Sequence, residues 1–228
     1  MPVFKTPLKL TFEEVLPFLK MDKNPSPMEE ELIHHYLRKI KLIAQPIGIY
    51  DTFFINEQTP TKISLKTVPL IITGPLTVQY FYSCSQITLL ATTLGPDLDD
   101  FLTNLSAARA LIADAVASAA IESFTEQLDQ HLTTLIKRKG YYPTIRLSPG
   151  YGDWPLQAQK AFLASLKTET IGLTLTSHYL LQPRKSITAV LGWSNIPVKR
   201  TYLNCTRNCA TCPQASTCQL RINPLDLT

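Results

Sequence analysis

Apolar residues recur at three- and four-residue steps through two stretches of this chain and crowd into short runs elsewhere. The longest helical pattern covers about residues 97–137, where Leu98, Phe101, Ile112, Val116, Phe124 and Leu128 share one face around an alanine-rich centre. The break Gly95-Pro96-Asp97 opens it, and Lys137, Arg138 and Lys139 before Gly140 suit its negative end. Its length allows two helices in place of one. A second amphipathic helix follows Ser26-Pro27, with Leu32, Ile33, Tyr36, Leu37 and Ile40 at helical spacing. Residues 11–20 start at Thr11 with Glu13 and Glu14 in the first turn, and Pro17 limits that helix to a short piece.

Between these helices the pattern changes. Segments near 41–50, 62–66, 69–73, 76–82 and 86–92 are rich in β-branched and aromatic residues and separated by Pro46, Pro60 and Gly74-Pro75, which predicts strands. Residues 155–168 predict a proline-led helix. The stretch from Ile171 to Trp193 predicts two strands joined around Gln182-Pro183-Arg184-Lys185. Helices and strands come in blocks, so the expected class is α+β: a mainly antiparallel twisted sheet with long helices packed on it, plus a C-terminal cysteine-rich tail. The expected division is a main domain over residues 1–193 and a tail over 194–228.

Composition narrows the function classes. The chain has 228 residues, 45% of them apolar and 18% charged, which supports a real core. A net charge of +4 with scattered basic residues, clustered only at Lys137-Arg138-Lys139, argues against a nucleic-acid binder. No signal peptide and no apolar run of membrane-spanning length is visible, so cytoplasm and no membrane partner are expected. The histidines, His34, His35, His131 and His178, are dispersed, and Cys84 falls inside a predicted strand as a small core residue.

Two elements carry chemistry. With eight glycines and no G-x-G-x-x-G, the chain lacks the usual nucleotide cradles. The turn Arg146-Leu147-Ser148-Pro149-Gly150-Tyr151 offers another: a planar guanidinium for a carboxylate, a tight bend with backbone groups open to a ligand, and an aromatic face. The tail holds Cys205, Cys209, Cys212 and Cys218 as C-x3-C-x2-C-x5-C. In a reducing compartment such thiols are metal ligands more often than disulfides. The tight spacing and Cys212-Pro213 favour an iron–sulfur cluster, with structural zinc as the alternative. The C-x3-C-x2-C subset also occurs in radical S-adenosylmethionine enzymes, where a barrel comes after the motif; here it ends the chain.

The Arg-x-x-x-Gly-Tyr turn, the proline-led helix behind it, Ile171-Gly172-Leu173-Thr174-Leu175-Thr176 and the alanine-rich helix from Asp114 to Glu122 together resemble the activation (reactivation) domain of cobalamin-dependent methionine synthase, over roughly residues 85–193. The likeness is strongest to short stand-alone versions of that domain. It implies S-adenosylmethionine as ligand, with Arg146 on its carboxylate, Ser148 at the adenine, Gly150 in the bend, Tyr151 flanking and Glu122 near the positive end. Longer members place an aspartate on the ligand ammonium in a Trp-Thr-Pro context absent here, which leaves Asp153, Glu13 and Glu14 as replacements. The implied function is a reactivation factor supporting reductive methylation of cob(II)alamin on a partner corrinoid protein, a methionine synthase lacking its own activation domain. The tail would then carry an electron relay or dock an electron donor. The alternative is a non-catalytic interaction protein with a zinc-stabilised tail.

Overall fold

The computed structural model describes residues 1–19, 25–198 and 200. Strand β1 (Val3–Phe4) is followed by α1 (Phe12–Val15), a 3-10 turn (Leu16–Phe18) and α2 (Pro27–Ile43). Both helices open with a capping box. Thr11 and Glu14 exchange bonds of 2.8 and 3.3 Å across the start of α1, and Ser26 and Glu29 do the same for α2. Pro17 sits inside the 3-10 turn and ends α1 early. Ile33, Tyr36, Leu37 and Ile40 are the buried stripe of α2.

Next come β2 (Ile47–Gln58), β3 (Lys62–Leu65), β4 (Ile71–Thr73), α3 (Pro75–Gln79) and β5 (Cys84–Thr93). The long pattern divides into α4 (Pro96–Thr103) and α5 (Ala107–Arg138), broken at residues 104–106. Strand β6 (Tyr142–Leu147), α6 (Gln159–Leu166), the hairpin β7 (Thr174–Leu175) and β8 (Leu181–Gln182), and β9 (Ser186–Ser194) complete the described chain. Among the described residues the main sheet has seven strands in the order β4-β3-β2-β5-β9-β6, with β1 beside β2 and every pairing antiparallel. The expected α+β class holds. Of the tail that completed the expectation, residues 194–228, position 199 and residues 201–228 lie outside the described residues.

Three expectations need correction. Residues 76–82 form no strand: α3 starts at Pro75, and Val78 and Phe81 are buried three residues apart, a helical step that reads as a β-rich run in isolation. The strand expected at 41–50 begins only after Pro46. Lys41, Leu42 and Ile43 finish α2, and β2 continues to Gln58 through the polar residues Asn56 and Glu57. The stretch 171–193 holds three strands, because β7 turns back into β8 through residues 176–180, with Tyr179 in left-handed backbone (φ 62°).

The sheet is covered on both faces. Leu90, Ala189, Leu191 and Trp193 pack on Leu128, Leu132 and Ile136 of α5. On the other face Thr188 donates to Gln159 at the start of α6 (2.8 Å). The tightest point is Gly192 on β9, where an added Cβ would sit 2.6 Å from the Cys84 sulfur and 2.8 Å from the Phe81 ring. Gly192→Ala is expected to cost about 1–3 kcal/mol by overpacking, read as a lower urea midpoint with an unchanged slope; an unchanged midpoint would show that this packing yields freely.

Candidate functional site

Strand β6 is an edge strand, and its register with β9 slips by one residue. Pro143 pairs with Trp193, but Arg146, not Ile145, pairs with Leu191. Across the slip the Thr144 hydroxyl accepts the Gly192 N–H at 2.8 Å in place of a ladder bond. Side chains alternate between faces, so one extra residue sets which of two neighbours points at the helix layer. The bulge puts Arg146 on the face that Leu191 shows to α5.

There Arg146 meets Glu122 of α5, with Nη2 2.8 Å from Oε2. The guanidinium side chain is 15% exposed and the carboxylate 47%. The other terminal nitrogen, Nη1, is buried without a hydrogen-bond partner. Leaving a buried donor empty costs about 1–3 kcal/mol, and more for a charged group. The seam between α5 and the sheet edge therefore carries a cation with one arm engaged and one vacant. Sequence expectation had both arms free for a ligand carboxylate; the structure occupies one of them.

The turn after β6 also differs from expectation. Gly150, at φ 90°, donates its N–H to the Trp154 carbonyl (2.8 Å), Tyr151 donates to Ser148 (3.1 Å) and Trp154 to Tyr151 (3.0 Å). These backbone groups close the bend on itself and are not open donors. Gly150 is still needed there, for its positive φ and for Leu156, which lies 3.1 Å from where a Cβ would be. Ser148 is half-buried, while Gly150 and Tyr151 face solvent.

Of the three acids considered for a ligand ammonium, two have other work. Asp153 caps α3 from a distance in sequence, accepting from Leu76 N (2.7 Å), Thr77 N (3.0 Å) and the Thr77 hydroxyl (2.7 Å). Burial pushes its pKa up, but these bonds together outweigh burial and hold it below the ordinary carboxylate value. Glu14 closes the α1 capping box. Glu13 is exposed on α1.

Sequence reasoning missed Lys185. Its Nζ lies 2.7 Å from the Asp114 carboxylate, 2.9 Å from the Ser118 hydroxyl and 3.3 Å from the Asp114 carbonyl. Asp114, Ser118 and Glu122 are spaced by four residues, one polar stripe on an otherwise alanine-rich helix. That spacing was the available signal. Beside it, Asp99 of α4 accepts the Arg184 N–H (2.7 Å). His178 and Tyr179 sit in the β7–β8 turn. Cys84 is buried, and burial pushes its thiol up to about 12, so it stays protonated and inert. Among the described residues no His, Cys, Asp and Glu cluster could hold a metal ion. Cys205, Cys209, Cys212 and Cys218 lie outside the described residues. No described helix is long and apolar enough to cross a membrane.

The chain matches no family model and no curated protein. Among solved structures it is similar to a crystal structure of the MetH reactivation domain bound to AdoHcy. The TM-score is 0.58 at 16% identity, covering 78% of this chain and 69% of that one. At that identity the likeness is one of fold alone.

Asp153 ties this site's turn to α3, and its role is open to test by acid. Its native pKa lies below the unfolded one, so its stabilisation is complete above about pH 4 and is lost as pH falls through the native value. Asp153→Ala is expected to lower stability by about 1–2 kcal/mol at neutral pH. The gap to the parent should narrow in urea titrations near pH 3; a gap independent of pH would mean that the charge plays no part.

Proposed function

We propose that this chain binds S-adenosylmethionine in the seam between α5 and β6 and serves as a reactivation factor for a partner corrinoid protein, a cobalamin-binding methionine synthase in particular. The observation that carries the reading is the vacant, buried Nη1 of Arg146, beside a half-exposed carboxylate, on a fold shared with a reactivation domain.

In this reading Arg146 takes the ligand carboxylate through both terminal nitrogens, displacing Glu122, which then faces the ammonium and sulfonium end. Ser148 lies at the adenine, Gly150 lets the base approach the bend, and Tyr151 covers it. When bound, the sulfonium would supply a methyl group to the cobalt reduced by one electron from a donor protein or the tail, leaving S-adenosylhomocysteine, which would make the reduction of cob(II)alamin effectively irreversible. The protein's part is to fix the ligand's amino-acid end on a rigid strand and aim the other end outward at a partner, a gain by proximity.

Cys205, Cys209, Cys212 and Cys218 complete the proposal as ligands of an iron–sulfur cluster that relays or docks the reducing electron, with zinc as the alternative metal. Protein purified without oxygen should show a broad visible charge-transfer band that chelation removes. A colourless protein with stoichiometric zinc would exclude the relay and leave the ligand site standing.

One observation favours a second reading, a non-catalytic interaction protein. The Gly150 and Tyr151 N–H groups are consumed inside the turn, and Arg146 is already half paired. Calorimetry with S-adenosylmethionine separates the two. Binding should be measurable for the parent and fall by about 2–5 kcal/mol in Arg146→Ala, the cost of losing one partner of a buried charged contact. Arg146→Lys should not restore it, since an ammonium lacks the second arm. Binding that survives Arg146→Ala would overturn the assignment of Arg146 to the ligand carboxylate, and no binding in the parent would favour the interaction protein.

A further inference from the structure

The Arg146–Glu122 pair has a consequence for which molecules the seam accepts. We propose that Glu122 is a selectivity latch: it holds the place of a ligand carboxylate on Arg146 and releases it only to a molecule that brings its own cation. The proposal rests on the reading that Arg146 binds the ligand carboxylate.

The two partners differ in freedom. Arg146 is fixed by its strand register opposite Leu191 and is 15% exposed. Glu122 projects from the helix with nearly half of its side chain in solvent. An arriving anion therefore displaces the carboxylate, not the guanidinium.

Charge balance then discriminates among ligands. The empty pair is balanced, one cation against one anion. A ligand carrying only a carboxylate places two anions at one guanidinium, and like charges within about 4–6 Å oppose each other. A zwitterion exchanges partners instead. Its carboxylate takes both terminal nitrogens of Arg146 and its ammonium takes the released Glu122, so the amino-acid end leaves each of these four charges paired; the sulfonium of S-adenosylmethionine adds one further positive charge. Selection against the monoanion comes from the repulsive contact as much as from the attractive one.

A neighbouring pair on the same stripe of α5 marks the difference between a latch and a pin. Lys185 and Asp114 show the same asymmetry, 11% and 50% exposed. Lys185, however, has three acceptors within 3.3 Å for its three N–H groups. That pair fastens the start of β9 to α5 and has no vacant donor to offer. Arg146 has one.

The test is calorimetry with three probes on the parent and on Glu122→Gln: S-adenosylmethionine, S-adenosylhomocysteine, and the des-amino acid analogue of the latter, which keeps the carboxylate and lacks the ammonium. In the parent both zwitterions should bind at least about tenfold more tightly than the analogue, roughly 1.4 kcal/mol. In Glu122→Gln the zwitterions should weaken and the analogue strengthen, so that the preference shrinks or reverses. Glu122→Asp, which keeps the charge, should retain the parent's order, and thermal midpoints of both variants confirm folding. If Glu122→Gln shifts all three probes equally or not at all while Arg146→Ala still abolishes binding, the latch is wrong and the ligand site survives. If no probe binds the parent, the site reading fails and the latch with it.

Discussion

A single extra residue in β6 governs the site. Between Pro143 and Arg146 the strand gains one residue on β9, and the slip sends Arg146, in place of Ile145, toward α5. The irregularity is held by a side chain, since the Thr144 hydroxyl takes the Gly192 N–H that regular pairing would satisfy. Gly192 in turn lacks the Cβ that would strike Cys84, Phe81 and Thr144. The guanidinium at the seam thus depends on a hydroxyl and a missing methyl elsewhere on the same pair of strands.

Helix α5 supplies the other half. Its inward face is built of small residues, with Ala113, Ala117 and Ala120 fully buried, so the helix can lie close against its neighbours. Larger residues fill the C-terminal half, where Leu128, Leu132 and Ile136 meet Trp193 and Leu191. Buried polar groups are paired: the Thr92 hydroxyl with that of Thr125 across the layers, and the Trp193 indole N–H donates to the Thr88 hydroxyl on the neighbouring strand. A helix seated this firmly leaves its polar stripe at the edge of the sheet, where Asp114 and Glu122 each find a buried cation. One cation is fully satisfied and fastens the fold; the other keeps a vacant arm. Geometry, not residue type, separates the structural pair from the proposed functional one.

The turn after β6 shows how one segment can serve packing before recognition. Its backbone bonds close inward, and Asp153 reaches across to start α3. Gly74, where an added Cβ would crowd the Asp153 carboxylate, makes room for that cap. The turn is closed by its own hydrogen bonds and tied to a second helix. The same closure removes the open backbone donors that its sequence suggested.

Local chemistry was enough to fix much of this. Capping residues and periodicity located α1, α2, and the α4–α5 stretch, because those signals act within one or two turns of chain. The blockwise order of elements indicated an antiparallel α+β fold; Arg146 stood out by residue type in its turn, and Glu122 only through the resemblance to the reactivation-domain family. What sequence could not contain was set by contacts between distant segments. The segment 76–82 is helical at its start because Asp153, 77 positions after Leu76, caps it. Lys185 finds its acceptors on α5 only once β9 is docked. Arg146 and Glu122 meet because a strand slips by one residue, and alternation makes a one-residue slip a change of face. Short-range patterning therefore determined which elements form, while the tertiary packing decided which charges they bring together and which donor stays empty.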